Sequence, residues 1–234
     1  MQGGFGYLTA SAEKRGRSRI ETLANVNVEA VWIFSRERTV KSLHQLQGLQ
    51  VAVGPERSGS RKVTLTLFEQ ARIETDDINL STSTGLEAVQ ALRQGTVDVV
   101  FMVSSRDSSV IQNMLGVPGL QLANLQKSAA IVECNPYLET SLLPQSALDA
   151  RIPLRDTTKL TMLTMLTSLV ARESLHPALK RLAIATIADT NNKGWLFHRA
   201  GHFPSLRRID FPTAPMSRAA LTSGLPWHES LLPF

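Results

Sequence analysis

The sequence predicts an α/β protein built on a parallel or mixed sheet. Three observations carry that expectation. Between residues 51 and 125, short runs rich in β-branched residues alternate with segments of helical spacing. The turns after three of those runs, at residues 54–60, 81–85 and 104–108, are made largely of Gly, Ser and Thr. Residues 97–103, VDVVFMV, form an almost unbroken apolar run, as a strand buried on both faces requires.

In chain order, residues 1–6 read as the end of a strand entering a glycine turn, and residues 11–19 as a polar helix or exposed loop. Residues 26–35, VNVEAVWIFS, alternate and predict a strand. Residues 39–48 predict a short helix stopped by Gly48. Val51, Ala52 and Val53 predict a strand, which Gly54 and Pro55 break. From Arg61 the apolar positions Val63, Leu65, Leu67 and Phe68 predict a helix, although the first three alternate as a strand would. A strand follows at 78–81. Thr84 and Glu87 have capping-box spacing, opening a helix through Ala88, Val89, Ala91 and Leu92 that stops at Gly95. A strand at 97–103, a helix at 108–115 and a strand at 120–125 complete the alternating region. Residues 136–149 have no clean period. Residues 158–172, apolar with interspersed Thr, predict one long strand or a strand pair. Ser174 as N-cap and Pro177 in the first turn open a last helix, with Leu179, Leu182, Ala183 and Ile187 facing inward, ending near Asn191. The tail from His202 holds five of the eleven prolines.

Composition narrows the function classes. With 234 residues the chain suffices for one large domain or two small lobes. Its 43% hydrophobic and 19% charged content is that of a globular protein. A net charge of +5 suits an anionic partner. The basic residues are scattered, however, and no basic stripe carries interleaved aromatics, which argues against nucleic acid. The single cysteine, Cys134, excludes an internal disulfide. Among five histidines, His198 and His202 come nearest to ligand spacing but lack an HExxH frame, so no metal or other cofactor is expected. No apolar run reaches membrane-spanning length, and the first residues lack a basic start with an apolar core, so no signal peptide is read.

The stretch at 54–60 carries the clearest chemistry. A strand, a Gly/Ser loop and a helix form an anion-binding arrangement, because the first N–H groups of a helix have no intrahelical acceptor and its dipole adds positive charge there. Gly54 and Gly59 have the Walker spacing, but Ser60 stands where that pattern needs Lys, and Pro55 removes a donor. A nucleotide triphosphatase is therefore not expected. Ser58 and Ser60 are read either as caps of the helix or as donors to a ligand.

AVGPERSGS at residues 52–60 resembles the AVGPEGSGT-type motif of the TAXI solute-binding proteins, extracytoplasmic receptors of tripartite ATP-independent periplasmic (TRAP) transporters. Other segments resemble that family in the same serial order. They are QGG at 2–4, EAVWIFS at 29–35, PYLETSLLPQSALD at 136–149, and the tail with FPS at 203–205 and SGLPWHESLLPF at 223–234. The chain departs at Arg57, where the family usually has Gly. The resemblance implies a periplasmic-binding-protein-like fold of type 2 topology: two lobes with mixed sheets flanked by helices. It also implies that the first lobe is incomplete, its leading βα units lying before Met1, and that a membrane segment can follow Phe234. Residues 1–34 would be a remnant of lobe one, 35–168 lobe two, and 169–234 the return to lobe one with the tail.

Two main function classes follow. The first is a binding module that captures a small acidic solute, a carboxylate or amino acid, between the lobes. The turns at strand carboxyl ends offer Gly54, Ser58, Gly59, Ser60, Thr84, Gly85 and Ser104. The family resemblance adds Gln2, Gly3 and Gly4. It also implies membrane subunits of a TRAP transporter as partners and a periplasmic or membrane-anchored location. The second class is an enzyme on a related fold gripping a phosphate at residues 54–60. No nucleophile–base pair or carboxylate dyad supports it, and Glu56, Asp98, Asp107 and His176 are candidates by residue type alone. A truncated, inactive receptor is a third reading.

Overall fold

A computed structural model describes residues 20–36, 38–144, 159–191, 194 and 197–223. Seven strands form one mixed sheet in the order β3-β2-β4-β1-β7-β6, with β5 paired to β1 outside that path. The strands are β1 (Ile20–Arg36), β2 (Gln50–Ala52), β3 (Asn79–Ser81), β4 (Val99–Ser104), β5 (Leu120–Leu122), β6 (Leu138–Pro144) and β7 (Lys159–Arg172). The helices are α1 (Gly59–Gln70), α2 (Gly85–Gln94), α3 (Ser109–Leu115), α4 (Ser128–Cys134), α5 (Pro177–Asn191) and α6 (Pro215–Ser223). Helices alternating with the strands of a mixed sheet are what the sequence predicts. The described residues divide into two compact units, one from 29–165 and the other from 20–28 and 166–223.

In the larger unit, β2 pairs in parallel with both β3 and β4, placing Val51 beside Leu80 and Val99. β4 runs antiparallel to β1, with Trp32 opposite Met102 and Phe34 opposite Val100. Residues 30–34 of β1 are all buried, which explains why AVWIF shows no polar face. Trp32 and Phe34, two apart and hence on one face, stack with ring centroids 5.9 Å apart. On the other face Val31 and Ile33 join a core with Val51, Val63, Leu67, Phe68 and Phe101. Phe68 meets Phe101 edge to face at 5.6 Å, docking α1 on β4. Burial of Val63, Leu67 and Phe68 settles the period of this segment as helical. Asp98 lies at the amino end of β4, where its Oδ2 accepts from Gln50 N–H at 2.9 Å.

In the smaller unit, Asn25 is a buried polar hub. Its backbone exchanges hydrogen bonds with Ser205, its Nδ2 donates to Arg207 O, and Ser168 Oγ donates to its Oδ1. Satisfying each group of a buried amide offsets its desolvation. Leu23, Ile184 and Ala214 form the local core. Phe203 is buried ahead of a cis Phe203–Pro204 bond, with the His198 and His202 rings edge-on to it at 4.8 and 4.9 Å.

Several elements differ from the sequence expectation. The helix at 39–48 contracts to a 3₁₀ turn at Leu43–Leu46, held by a Ser42/Gln45 capping box. The strand at 26–35 begins earlier, at Ile20. α4 has no counterpart in the sequence reading. Ser174 does not cap α5; it lies in the preceding turn, and His176 Nδ1 accepts from Ala178 N–H at 3.2 Å. Leu179 and Leu182 face outward, 52% and 51% exposed, while Lys180, Ile184 and Ile187 turn inward. The expectations for residues 1–19 and 224–234 lie outside the described residues, as do residues 145–149 of the segment at 136–149.

Candidate functional site

Because β3, β2 and β4 are parallel neighbours, their carboxyl ends share one edge of the sheet. The three Gly/Ser/Thr turns leave from that edge, and α1, α2 and α3 start there. In an open α/β sheet this is the edge where ligands bind. The topology thus brings together on one edge Gly54, Ser58, Gly59 and Ser60 from the first turn, Thr84 and Gly85 from the second, and Ser104 from the third. Gln2, Gly3 and Gly4 lie outside the described residues.

The first turn is closely specified. Val53 N–H donates to Ser81 O at 3.0 Å, extending the ladder one residue beyond β2. Gly54 follows with φ +86, which favours glycine, and a Cβ there would press on the Ser58 Oγ at 3.0 Å. Ser58 N–H donates to Pro55 O at 3.2 Å, closing a tight turn whose third residue, Arg57, has φ 66. That is a position suited to glycine, and an arginine there costs roughly 1–2 kcal/mol of backbone strain. Ser58 is the N-cap of α1, accepting from Arg61 N–H at 3.2 Å. Ser60 Oγ accepts from Val103 N–H at 2.9 Å, across to β4. Both hydroxyls are therefore committed as acceptors within the protein. Arg61 Nη1 donates to Gly54 O at 3.4 Å. The N–H groups of Gly59 and Ser60, in the first turn of a twelve-residue helix, have no intrahelical acceptor and are the donors on offer.

The second turn corrects the predicted capping box. Thr84 occupies the N-cap position of α2 with extended backbone, but its side chain makes no cap bond. Ser83 Oγ instead donates to Glu87 Oε1 at 3.1 Å, and Ser81 Oγ accepts from Ser83 N–H at 3.2 Å. Thr84 is left exposed, and Gly85, at φ +57, has open space where a Cβ would lie. In the third turn, Ser104 O accepts from Trp32 Nε1 at 3.0 Å, and Ser105 Oγ bonds both the N–H and the Oδ2 of Asp107 at 3.4 Å. Arg106 pairs with Asp107 at 4.0 Å.

Around these turns Arg57, Arg61 and Arg106 balance Glu56, Glu87 and Asp107. Glu87 and Asp107 are engaged locally, whereas Arg57 is exposed. The groups this edge could offer an anion are backbone N–H groups at a helix N-terminus rather than a buried cation. Among the described residues no group of His, Cys, Asp and Glu is placed to hold a metal ion. Arg57's left-handed backbone and the Ser60–Val103 link were not legible from the residues alone. The one signal was the departure at position 57 from the Gly that the resembling motif carries.

The fold and this edge define a mixed-sheet α/β protein with an anion-competent rim of turns. The chain belongs to the NMT1-like family, whose model matches residues 6–149. No curated protein matches it. Among solved structures it is similar to the periplasmic aliphatic sulphonate binding protein SsuA from Escherichia coli. That match has 18% identity and a TM-score of 0.44, over 76% of this chain and 50% of that one. It is also similar to the amino acid ABC transporter substrate-binding protein AbpA from Streptococcus pneumoniae bound to L-arginine. There the identity is 12% and the TM-score 0.44, over 80% of this chain and 59% of that one. An ABC transporter periplasmic binding protein from Brucella ovis with glutathione bound matches at 11% identity and TM-score 0.44, over 76% and 44%. The chain spans about half the length of the solved structures it matches. Among the described residues no helix is long and apolar enough to cross a membrane.

Proposed function

We propose that the chain is a solute-binding protein of a membrane transporter, taking a small acid at the carboxyl edge of β2, β3 and β4. The observation that carries this reading is the first turn of α1. There the N–H groups of Gly59 and Ser60 face no intrahelical acceptor, while the oxygens of Ser58 and Ser60 accept within the protein and hold the loop. Two such donors to a carboxylate contribute roughly 1.5–3 kcal/mol each. The balance of arginines and carboxylates around the rim suits a carboxylate or an amino acid better than a polyanion. The finer assignment, an extracytoplasmic receptor of a TRAP transporter working with its membrane subunits, rests on the serial motifs at 29–35, 52–60 and 136–149.

The test is calorimetric titration of the full chain with a panel of small carboxylates and amino acids, repeated on Gly59→Pro. Proline is favoured at the first helical position, and Ser58 already has φ −78 and ψ 152, the conformation that a residue before proline prefers. The substitution therefore deletes one donor at a position whose backbone suits proline. At least a tenfold loss of affinity with unchanged thermal stability is expected. Equal affinities would sink the proposal.

A further inference from the structure

At the opposite end of α1 lies a cavity of about 490 Å³, within the range of small-molecule pockets, roughly 300–1,000 Å³. Its nearest lining residue on α1, Leu67, lies about 12 Å along the helix from Gly59. Its walls come from the 3₁₀ turn, the last turn of α1 and α4. The two helices are joined there by a reciprocal pair of side-chain amides, Gln70 and Asn135. Leu43, Leu67, Leu125 and Ile131 supply an apolar lining, while Lys41, Arg72 and Lys127 are exposed at it. No Asp or Glu is among the lining residues.

Arg72 supplies a second, independent observation. It follows α1 in a Schellman arrangement, with Arg72 N–H bonded to Glu69 O and Ile73 N–H to Phe68 O, both at 3.0 Å. The position between those bonds is left-handed, and Arg72 occupies it at φ 54 where glycine is the usual residue. A cation near a helix C-terminus is favoured by the dipole, but one in the last turn of α1 would meet that need without backbone strain. The strained residue lines the cavity.

We infer that this cavity is a second binding site, for a small amphipathic anion. Its acidic head is held by Arg72 and Lys127 with Lys41 at the rim, and its short apolar body lies over Leu43, Leu67, Leu125 and Ile131. The chemistry is distinct from that of the carboxyl edge, whose donors are backbone N–H groups and hydroxyl-rich turns rather than cationic side chains.

The probe is octanoate, titrated into the full chain, with octylammonium as the matched cation. Cys134, the sole cysteine, is exposed and lines the cavity, so its alkylation by a maleimide reports occupancy directly. Octanoate is expected to bind at least tenfold tighter than octylammonium and to slow Cys134 alkylation. Arg72→Gly and Lys127→Gln should each weaken octanoate at least fivefold. Arg72→Gly should meanwhile raise Tm by a few degrees, since glycine relieves the strain, so lost binding cannot be lost fold. Gly59→Pro should leave octanoate's protection of Cys134 unchanged, which separates this site from the carboxyl edge. The inference is overturned if octanoate fails to bind or leaves Cys134 equally reactive. It is also overturned if the Arg72 and Lys127 variants bind octanoate as the wild type does.

Discussion

Ser60 Oγ accepts the N–H of Val103 at 2.9 Å, so the first turn of α1 is bonded side-on to the end of β4. A serine in a Gly/Ser loop before a helix is easily taken for a ligand donor. Here its oxygen completes the backbone bonding of a strand and fixes the direction of the helix N-terminus. What it still offers a ligand is its O–H, beside the backbone N–H groups of the helix's first turn. A site of this kind is set by the fold more than by side-chain identity.

Ser60→Ala should therefore act first on stability. It leaves Val103 N–H without its acceptor, at a cost of about 1–2 kcal/mol. Ser60→Thr, which keeps an oxygen at the same branch, should recover most of that. Urea unfolding of the three proteins measures this. If alanine and serine have the same midpoint, the Ser60–Val103 bond contributes nothing.

Arg57→Gly separates strain from function. Glycine at φ 66 should raise stability by about 1 kcal/mol. If the exposed guanidinium assists the acid bound at the neighbouring N–H groups, affinity should fall two- to fivefold, about the value of a solvent-exposed charge contact. Thermal melts and titration of the same variant read both effects. A variant that is both more stable and equally tight would show that Arg57 plays no part in binding.

Tyr137 gives an alkaline signature. Burial raises its pKa above the ordinary 10, with a hydrogen bond to Thr66 acting in the opposite direction. A group whose folded pKa is raised contributes stability that is present below its unfolded pKa, near 10, and is lost as pH rises through the folded value. The wild type should lose stability above pH 10, and Tyr137→Phe should lose less of it. Denaturant midpoints between pH 8 and 11 measure the difference, and parallel curves for the two proteins would exclude this origin.

The sheet was legible in the sequence wherever burial leaves a one-sided or continuous pattern. VVFM in β4 and AVWIF in β1 are apolar because both their faces are covered. Gly95, left-handed at φ 76, was legible as a helix stop for the same kind of reason, since few other residues take that backbone. Polar choices were not legible, because several partners compete for each group. Glu87 pairs with Ser83 rather than completing a box with Thr84, and Ser42 with Gln45 caps a single turn that reads as a longer helix. α4 escaped because SAAIVEC is too short to show a period and buries only Ser128. Of the candidate site, the shared edge was readable from strand–turn–helix order. The left-handed Arg57 and the Ser60–Val103 bond depend on geometry that no local pattern encodes.

α5 shows most clearly how a buried charge defeats pattern reading. By hydrophobicity Leu179 and Leu182 belong inside and Lys180 outside, and the structure reverses all three. The inward row is Lys180, Ile184 and Ile187, spaced as one helical face. Lys180 is tolerated there because its Nζ lies 2.5 Å from Glu21 Oε1 and donates to Glu173 O at 2.7 Å. With side chains only 7% and 9% exposed, neither partner can recover water if the other is removed. Lys180→Met should therefore destabilise by about 3–5 kcal/mol, because it strands the Glu21 carboxylate. Removing both charges, Glu21→Leu with Lys180→Met, should be close to neutral or mildly stabilising, since the pair's own desolvation cost disappears with it. A double-mutant cycle by chemical unfolding decides the matter. Additive losses would mean that the two groups do not sense each other, and that the inward turn of Lys180 has another cause.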